Sequence, residues 1–203
     1  MQANPDFMVS PDRKGKQPTY MVKVSRKEAT SPLINQAWKR PEQGWTKVNF
    51  DASYLQDNSS GSCGAIARTH DGAVVFSAWG IINHCQSAAM AEAVACLESL
   101  KIAVNLTDGN LLLETDCSSL LKIFDPGSLD RSPTSLIAKE FHMLKPHDRI
   151  VNLAHFSRQG NGVAHNLAQH GRRVLCSSIL PYSVPECVSE LVLQDCKNSF
   201  FGF

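Results

Sequence analysis

The sequence predicts a mixed α/β fold: a five-stranded mixed sheet, three strands antiparallel and then two parallel, with helices on its faces. Three observations carry this. The elements follow the order β-β-β-α-β-α-α-β-α. The apolar period changes from two before Ile82 to a helical period after Gln86. Asp71-Gly72, between two apolar stretches, marks a tight hairpin.

Trp45 to Tyr54 reads as the first strand, with Val48 and Phe50 on one face and Asn49 and Asp51 on the other. A polar loop, Asp57 to Gly61, leads to a second strand over Cys63–Thr69. The His70-Asp-Gly72 turn leads to a third, Ala73–Ile82. From Gln86 to Val104 the residues Met90, Val94, Leu97, Leu100 and Val104 recur at helical spacing among many alanines, which gives a long core-facing helix. Asp108-Gly109 ends it, and Leu111–Asp116 is a short buried strand. Ser118–Phe124 is a short helix broken by Pro126-Gly127. Thr134–Leu144 is an amphipathic one stopped by Pro146. Arg149–Ser157 is the fifth strand. Asn161 stands as N-cap of a last helix that turns Val163, Ala164, Leu167 and Ala168 inward. The expected organisation is a basic, disordered leader over 1–43, a domain over 44–173 and a tail over 174–203. That tail holds at most one short helix, around Ser189 to Leu193.

Composition excludes more than it assigns. At 203 residues, 43% hydrophobic and 19% charged, the chain has the make-up of an ordinary globular protein. A net charge of +1 makes no global electrostatic case for nucleic acid. The first 44 residues do hold eight Lys and Arg against four acids, an arm that could touch phosphates or simply stay solvated. Seven cysteines with no C-x-x-C pair, and no signal-peptide core at the start, point to free thiols inside the cell, in cytoplasm or nucleus. No apolar run nears the roughly 18 residues of a membrane span, so the expectation is a soluble monomer without a membrane partner.

Three acids occupy comparable points: Asp51 in mid-strand, Glu92 near the start of the long helix, and Asp116 at the end of the fourth strand. If the fourth strand lies parallel beside the first, with the helix across both, the three carboxylates converge. Like charges that close cannot all stay ionised without a cation. Hard oxygen ligands suit Mg²⁺ or Mn²⁺, and a pair of such ions is a known device for phosphodiester cleavage. Taken singly, each acid has a plainer reading. Asp116 could cap the helix that follows, and Glu92 could be surface charge. Asp51 is the hardest to dismiss, because a carboxylate on a core strand is costly without compensation.

Five stretches carry a resemblance. They are Gly44-Trp-Thr-Lys-Val-Asn-Phe-Asp51, Gly61-Ser-Cys-Gly64 through Asp-Gly72, Ser87-Ala-Ala-Met-Ala-Glu92-Ala-Val-Ala95, Leu113-Glu-Thr-Asp116-Cys-Ser118, and Ala154-His155 through Asn161-Gly-Val-Ala-His165-Asn-Leu-Ala168. In this order, from Gly44 to about Arg173, they resemble a type 1 ribonuclease H domain of the plant, reverse-transcriptase-like branch related to retrotransposons. The resemblance implies the ribonuclease H-like fold, two Mg²⁺ (or Mn²⁺) ions, and an endonuclease that cuts the RNA strand of RNA–DNA hybrids.

By motif position it also implies roles. Asp51, Glu92 and Asp116 match catalytic, metal-holding carboxylates, and His155 matches the histidine that helps product and proton leave. The fourth ligand position falls on His165 instead of a carboxylate. Ala52, Ser53, Ser118 and Asn161 fall at nucleic-acid-binding places. His165 removes one negative charge and one hard ligand, which favours Mn²⁺ over Mg²⁺ at that position. Ala52 stands where glycine is common. Ala88 and Ala89 stand where relatives carry polar groups for the minor groove, and selection of RNA over DNA rests on contacts to 2′-hydroxyls. The alternative is therefore a nucleic-acid-binding module or retroelement remnant that keeps the fold with a weakened or inactive site.

Overall fold

The structure, a computed structural model, describes residues 37–57, 59–127 and 132–200. Most of the expected leader, with the bulk of its basic charge, lies outside the described residues. The sheet has six strands where the sequence led to five. They are β1 (Trp45–Leu55), β2 (Ser60–Arg68), β3 (Val74–Ile82), β4 (Asn110–Thr115), β5 (Val151–His155) and β6 (Ser178–Pro181). In space they run β5-β4-β1-β2-β3-β6. The first three form an antiparallel meander, and β4 and β5 add on parallel to β1. β6 pairs antiparallel with β3, Ser178 opposite Trp79.

Helices α1 (Ala88–Leu106) and α3 (Thr134–Leu144) cover one face, with the short α2 (Leu120–Ile123) beside them. The alternation of β1 explains this side. Val48 and Phe50 join Ala65, Ala67, Phe76 and Ala78 of its neighbours, and alanines 93, 95 and 103 let α1 sit close on them. Ser87 caps α1, its Oγ accepting from the Met90 amide at 3.2 Å.

The opposite face carries α4 (Gly162–Val174) and α5 (Glu186–Phe200). α4 lies almost on the backbone of β2. A Cβ at Gly64 would come within 2.5 Å of the Ala164 carbonyl oxygen and 2.7 Å of the Leu167 carbonyl carbon. α5 is a fifteen-residue helix where the sequence suggested one turn. Its Val188 and Val192 pack on Ile66, Val163 and Leu167.

Between α5 and the sheet lies a buried charged layer. Lys47 meets Glu114 at 2.8 Å, and Asn49 Nδ2 donates to the same carboxylate at 3.4 Å. Arg68, fully buried, pairs with Asp195 of α5 at 2.8 Å and lies 3.7 Å over the Trp38 ring. Trp38 is itself fully buried and donates Nε1–H to Asn49 Oδ1 at 2.9 Å. A residue that the sequence placed ahead of the domain thus closes its core. All seven cysteines carry free thiols. Among the described residues, no helix is long and apolar enough to cross a membrane.

Candidate functional site

On β1 the outward sequence Lys47, Asn49, Asp51 changes its cover at its last member. The first two sit in the charged layer, whereas Asp51 faces the N-terminal half of α4. Its Oδ2 lies 2.7 Å from His165 Nδ1. Asp51 is only 4% exposed, and burial, with the nearby Asp116 charge, holds its carboxyl above the usual carboxylate range. The His165 hydrogen bond pulls the other way.

Glu92, in the second turn of α1, reaches the same place from the other face of the sheet. It is close enough to Asp51 and Asp116 for their charges to act on it, and the Ala52 main chain, next along β1, lowers the pKa of both Asp51 and Glu92. Burial first, and then the charges of Asp51 and Asp116, push Glu92 up to about 9. One of its oxygens, Oε2, is buried with no partner.

Asp116 follows β4 and is half-buried. It caps nothing, since α2 starts without a side-chain cap at Ser119. Its Oδ1 accepts from Asn161 Nδ2 at 3.2 Å, and that amide also donates to the Phe50 carbonyl at 2.9 Å. Asn161, expected as the N-cap of α4, makes no capping bond. It ties β1, Asp116 and the start of α4 together instead. His155, exposed at the end of β5, donates Nε2–H to the Asp116 carbonyl at 3.2 Å.

The fold therefore gathers Asp51, Glu92, Asp116, His155, Asn161 and His165 into one place. Ala52 contributes its main-chain N–H. Ser53 is half-buried farther along β1, and Ser118 is exposed in the turn after β4. Sequence reasoning passed over two further residues, Gln169 and Arg173. Gln169 Nε2 lies 2.8 Å from His165 Nε2, and Arg173 donates to Gln169 Oε1 at 3.1 Å. Their spacing of four from His165 was the available signal.

The carboxylates fit a divalent cation by donor chemistry. All three offer hard oxygens, and Glu92 Oε2 is a buried acceptor without a partner, a place where a cation would serve. The fit is not a finished cage. Among the described residues, no three His, Cys, Asp or Glu side chains stand in a metal-ligating arrangement. One oxygen of Asp51 is engaged by His165 and one of Asp116 by Asn161. His165, the expected fourth ligand, has both ring nitrogens occupied.

Comparison with known proteins bears on this geometry. A family profile described as reverse transcriptase-like matches residues 49–171. An Arabidopsis thaliana protein with the provisional name of a ribonuclease H protein is 26% identical over 172 residues, 84% of this chain. The chain spans 28% of the length of that relative. Among solved structures, the N-terminal RNase H domain of a Mycobacterium tuberculosis protein matches with a TM-score of 0.57 and 18% identity, over 64% of this chain and 94% of that one. RNase H1 of Halobacterium salinarum gives 0.56 and 18%, over 64% and 98%. LC11-RNase H1 in complex with an RNA/DNA hybrid gives 0.55 and 14%, over 64% and 99%. At these identities the structural matches speak for the fold.

Proposed function

The chain belongs to the reverse transcriptase-like family and carries a ribonuclease H-like domain, and on that premise we propose that it is a divalent-metal-dependent endonuclease. Its substrate is the RNA strand of RNA–DNA hybrids, the ligand named for one of the structural relatives. The observation that carries the reading is the meeting of Asp51, Glu92 and Asp116 around a carboxyl whose buried oxygen lacks a partner.

Asp51, Glu92 and Asp116 are the residues that would hold Mg²⁺ or Mn²⁺, which when bound activates a water and offsets charge developing on the phosphate. Glu92, held well above the ordinary carboxylate range, would have to lose its proton to solvent before it could serve as a ligand. Asn161 keeps Asp116 turned toward Asp51 by bridging it to the Phe50 carbonyl. His155, exposed and steadied through Nε2, presents Nδ1 to exchange a proton with the departing oxygen. Ala52 and Ser53, which follow Asp51 on β1, and Ser118, two residues past Asp116, would meet the nucleic-acid backbone.

A second reading rests on His165, which stands where a fourth carboxylate would and is spent on Asp51. It makes the chain a module that binds hybrid without turning it over. One assay separates the two: labelled hybrid, double-stranded RNA and DNA, each with Mg²⁺ and with Mn²⁺. The nuclease reading expects hybrid cleavage that Asp51→Asn abolishes. Intact hybrid in both metals, or cleavage undiminished in the variant, refutes it. Hybrid retained but uncut supports the second reading.

A further inference from the structure

Residues 165, 169 and 173 stand one turn apart on α4 and so share one face. Their side chains form a line running inward from Arg173 to Asp51. Arg173 donates to Gln169 Oε1 at 3.1 Å, Gln169 Nε2 meets His165 Nε2 at 2.8 Å, and His165 Nδ1 meets Asp51 Oδ2 at 2.7 Å.

The chemistry of each group fixes the direction of every bond in this line. A guanidinium has donors and no acceptor, so Gln169 must turn its carbonyl oxygen to Arg173 and its NH₂ to His165. An amide NH₂ only donates, so His165 Nε2 must accept and carries no proton. A neutral imidazole with a bare Nε2 holds its proton on Nδ1, and that proton points at Asp51. Reversing the tautomer would turn the Gln169 amide over and set its NH₂ against the donors of Arg173.

Resting on the reading of Asp51 as a site carboxylate, we propose that Gln169 and Arg173 are positioning residues that lock His165 in the Nδ1–H tautomer. So locked, the imidazole is a hydrogen-bond donor to Asp51 and not the ligand that its place in the sequence suggests. Nδ1 has its lone pair committed to the ring, and Nε2 has its lone pair committed to Gln169. The lock pins Asp51 Oδ2, so that the other Asp51 oxygen is the one that would serve a cation.

The test is a ¹⁵N–¹H spectrum of the full chain labelled at histidine nitrogens, with chelator present and pH high enough for neutral imidazoles. The His165 signals are identified by their loss in His165→Asn. The expected result is a proton on Nδ1 and none on Nε2. Gln169→Glu, which offers oxygen to both neighbours, should move a proton onto Nε2. Arg173→Met, a change at an exposed position, should give a mixture of tautomers. In the cleavage assay Arg173→Met should lower kcat about 10-fold with KM unchanged, as supporting residues behind a site group do. A wild-type proton on Nε2, spectra indifferent to both substitutions, or a shifted tautomer with unaltered kcat would each overturn the proposal. The spectrum reads the proton whether or not hybrid is cut, so this proposal and the nuclease reading fail separately.

Discussion

Glu92→Gln should stabilise the cation-free protein, and by an amount that grows with pH. Glu92 titrates near 9 in the folded chain against an ordinary 4.5. The folded value lies above the unfolded one. Its contribution to stability is therefore complete below about pH 4.5 and drains away as pH rises toward 9. At pH 8 the unfolded carboxyl is ionised about 3.5 pH units past its midpoint. At 1.36 kcal/mol each, this caps the loss at about 5 kcal/mol. Asp51 and Asp116 share the excess charge and the partial solvent access of Glu92 relieves some of it, so about 2 kcal/mol is the expected gain from glutamine. For a chain of this size that is a rise in Tm of about 4–8 °C. The assay is scanning calorimetry of both proteins with chelator at pH 5, 6.5 and 8. Glutamine should gain little at pH 5 and most at pH 8. Adding Mg²⁺ should then raise the wild-type Tm more than that of the variant, because a ligand that binds only the folded state stabilises it by mass action. A Tm difference that is flat across pH, or a wild type more stable than the variant at pH 8 with chelator, would refute the convergence of the three carboxyls.

Two further changes probe the frame around the site. Gly64→Ala places a Cβ against the Ala164, Leu167 and Ala168 backbone. It should cost about 3 kcal/mol by urea unfolding and lower hybrid cleavage, since α4 carries His165 away from Asp51 as it shifts. Lys47→Met leaves Glu114 buried with a bare charge and should cost about 3–5 kcal/mol, whereas the double change Lys47→Met with Glu114→Leu should recover most of it. Equal losses in the single and double variants would argue against a buried pair.

The parts of the fold that sequence made visible are those where local signals and tertiary demand agree. Asp71-Gly72 sets the hairpin, with Gly72 at a positive φ that other residues resist, and the alanine-rich Gln86–Val104 stretch can only be a helix that sits close on a sheet. β6 was invisible for a physical reason. Four residues ending in proline are too few to show a period, and they pair because β3 leaves its edge open between Phe76 and Trp79. α5 has its apolar residues diluted by Gln194, Asp195, Lys197 and Asn198. What makes it a helix is the docking of Val188 and Val192, and a buried arginine that needs Asp195. Of the three acids only Asp51 is out of place in its own element; Glu92 and Asp116 drew attention through the order of strands and helix that would bring them to it. Asn161 does stand at the N-cap of α4, but the residue type that caps helices also bridges strands, and only the fold decides that its amide donates to Phe50 and Asp116.

The alternation of β1 shows why the site stands where it does. Lys47, Asn49 and Asp51 follow one another at period two, and sequence alone gives them one description. Over Lys47 and Asn49 the fold closes with Trp38, Arg68 and the Glu114 carboxylate, so that two cations and two carboxylates neutralise one another across β1, β2, β4 and α5. Over Asp51, among the described residues, no lysine or arginine is paired. The groups that do arrive are the His165 imidazole, the Asn161 amide on Asp116, and two more carboxyls. A strand pinned rigidly at one end by compensated charge can hold uncompensated charge at the next position without yielding. That imbalance, maintained by burial, is what a divalent cation would relieve. The buried pair of Lys47 and Glu114 and the uncompensated carboxyls around Glu92 are thus two ends of a single arrangement. Loosening the first should soften the second before the sheet itself unfolds.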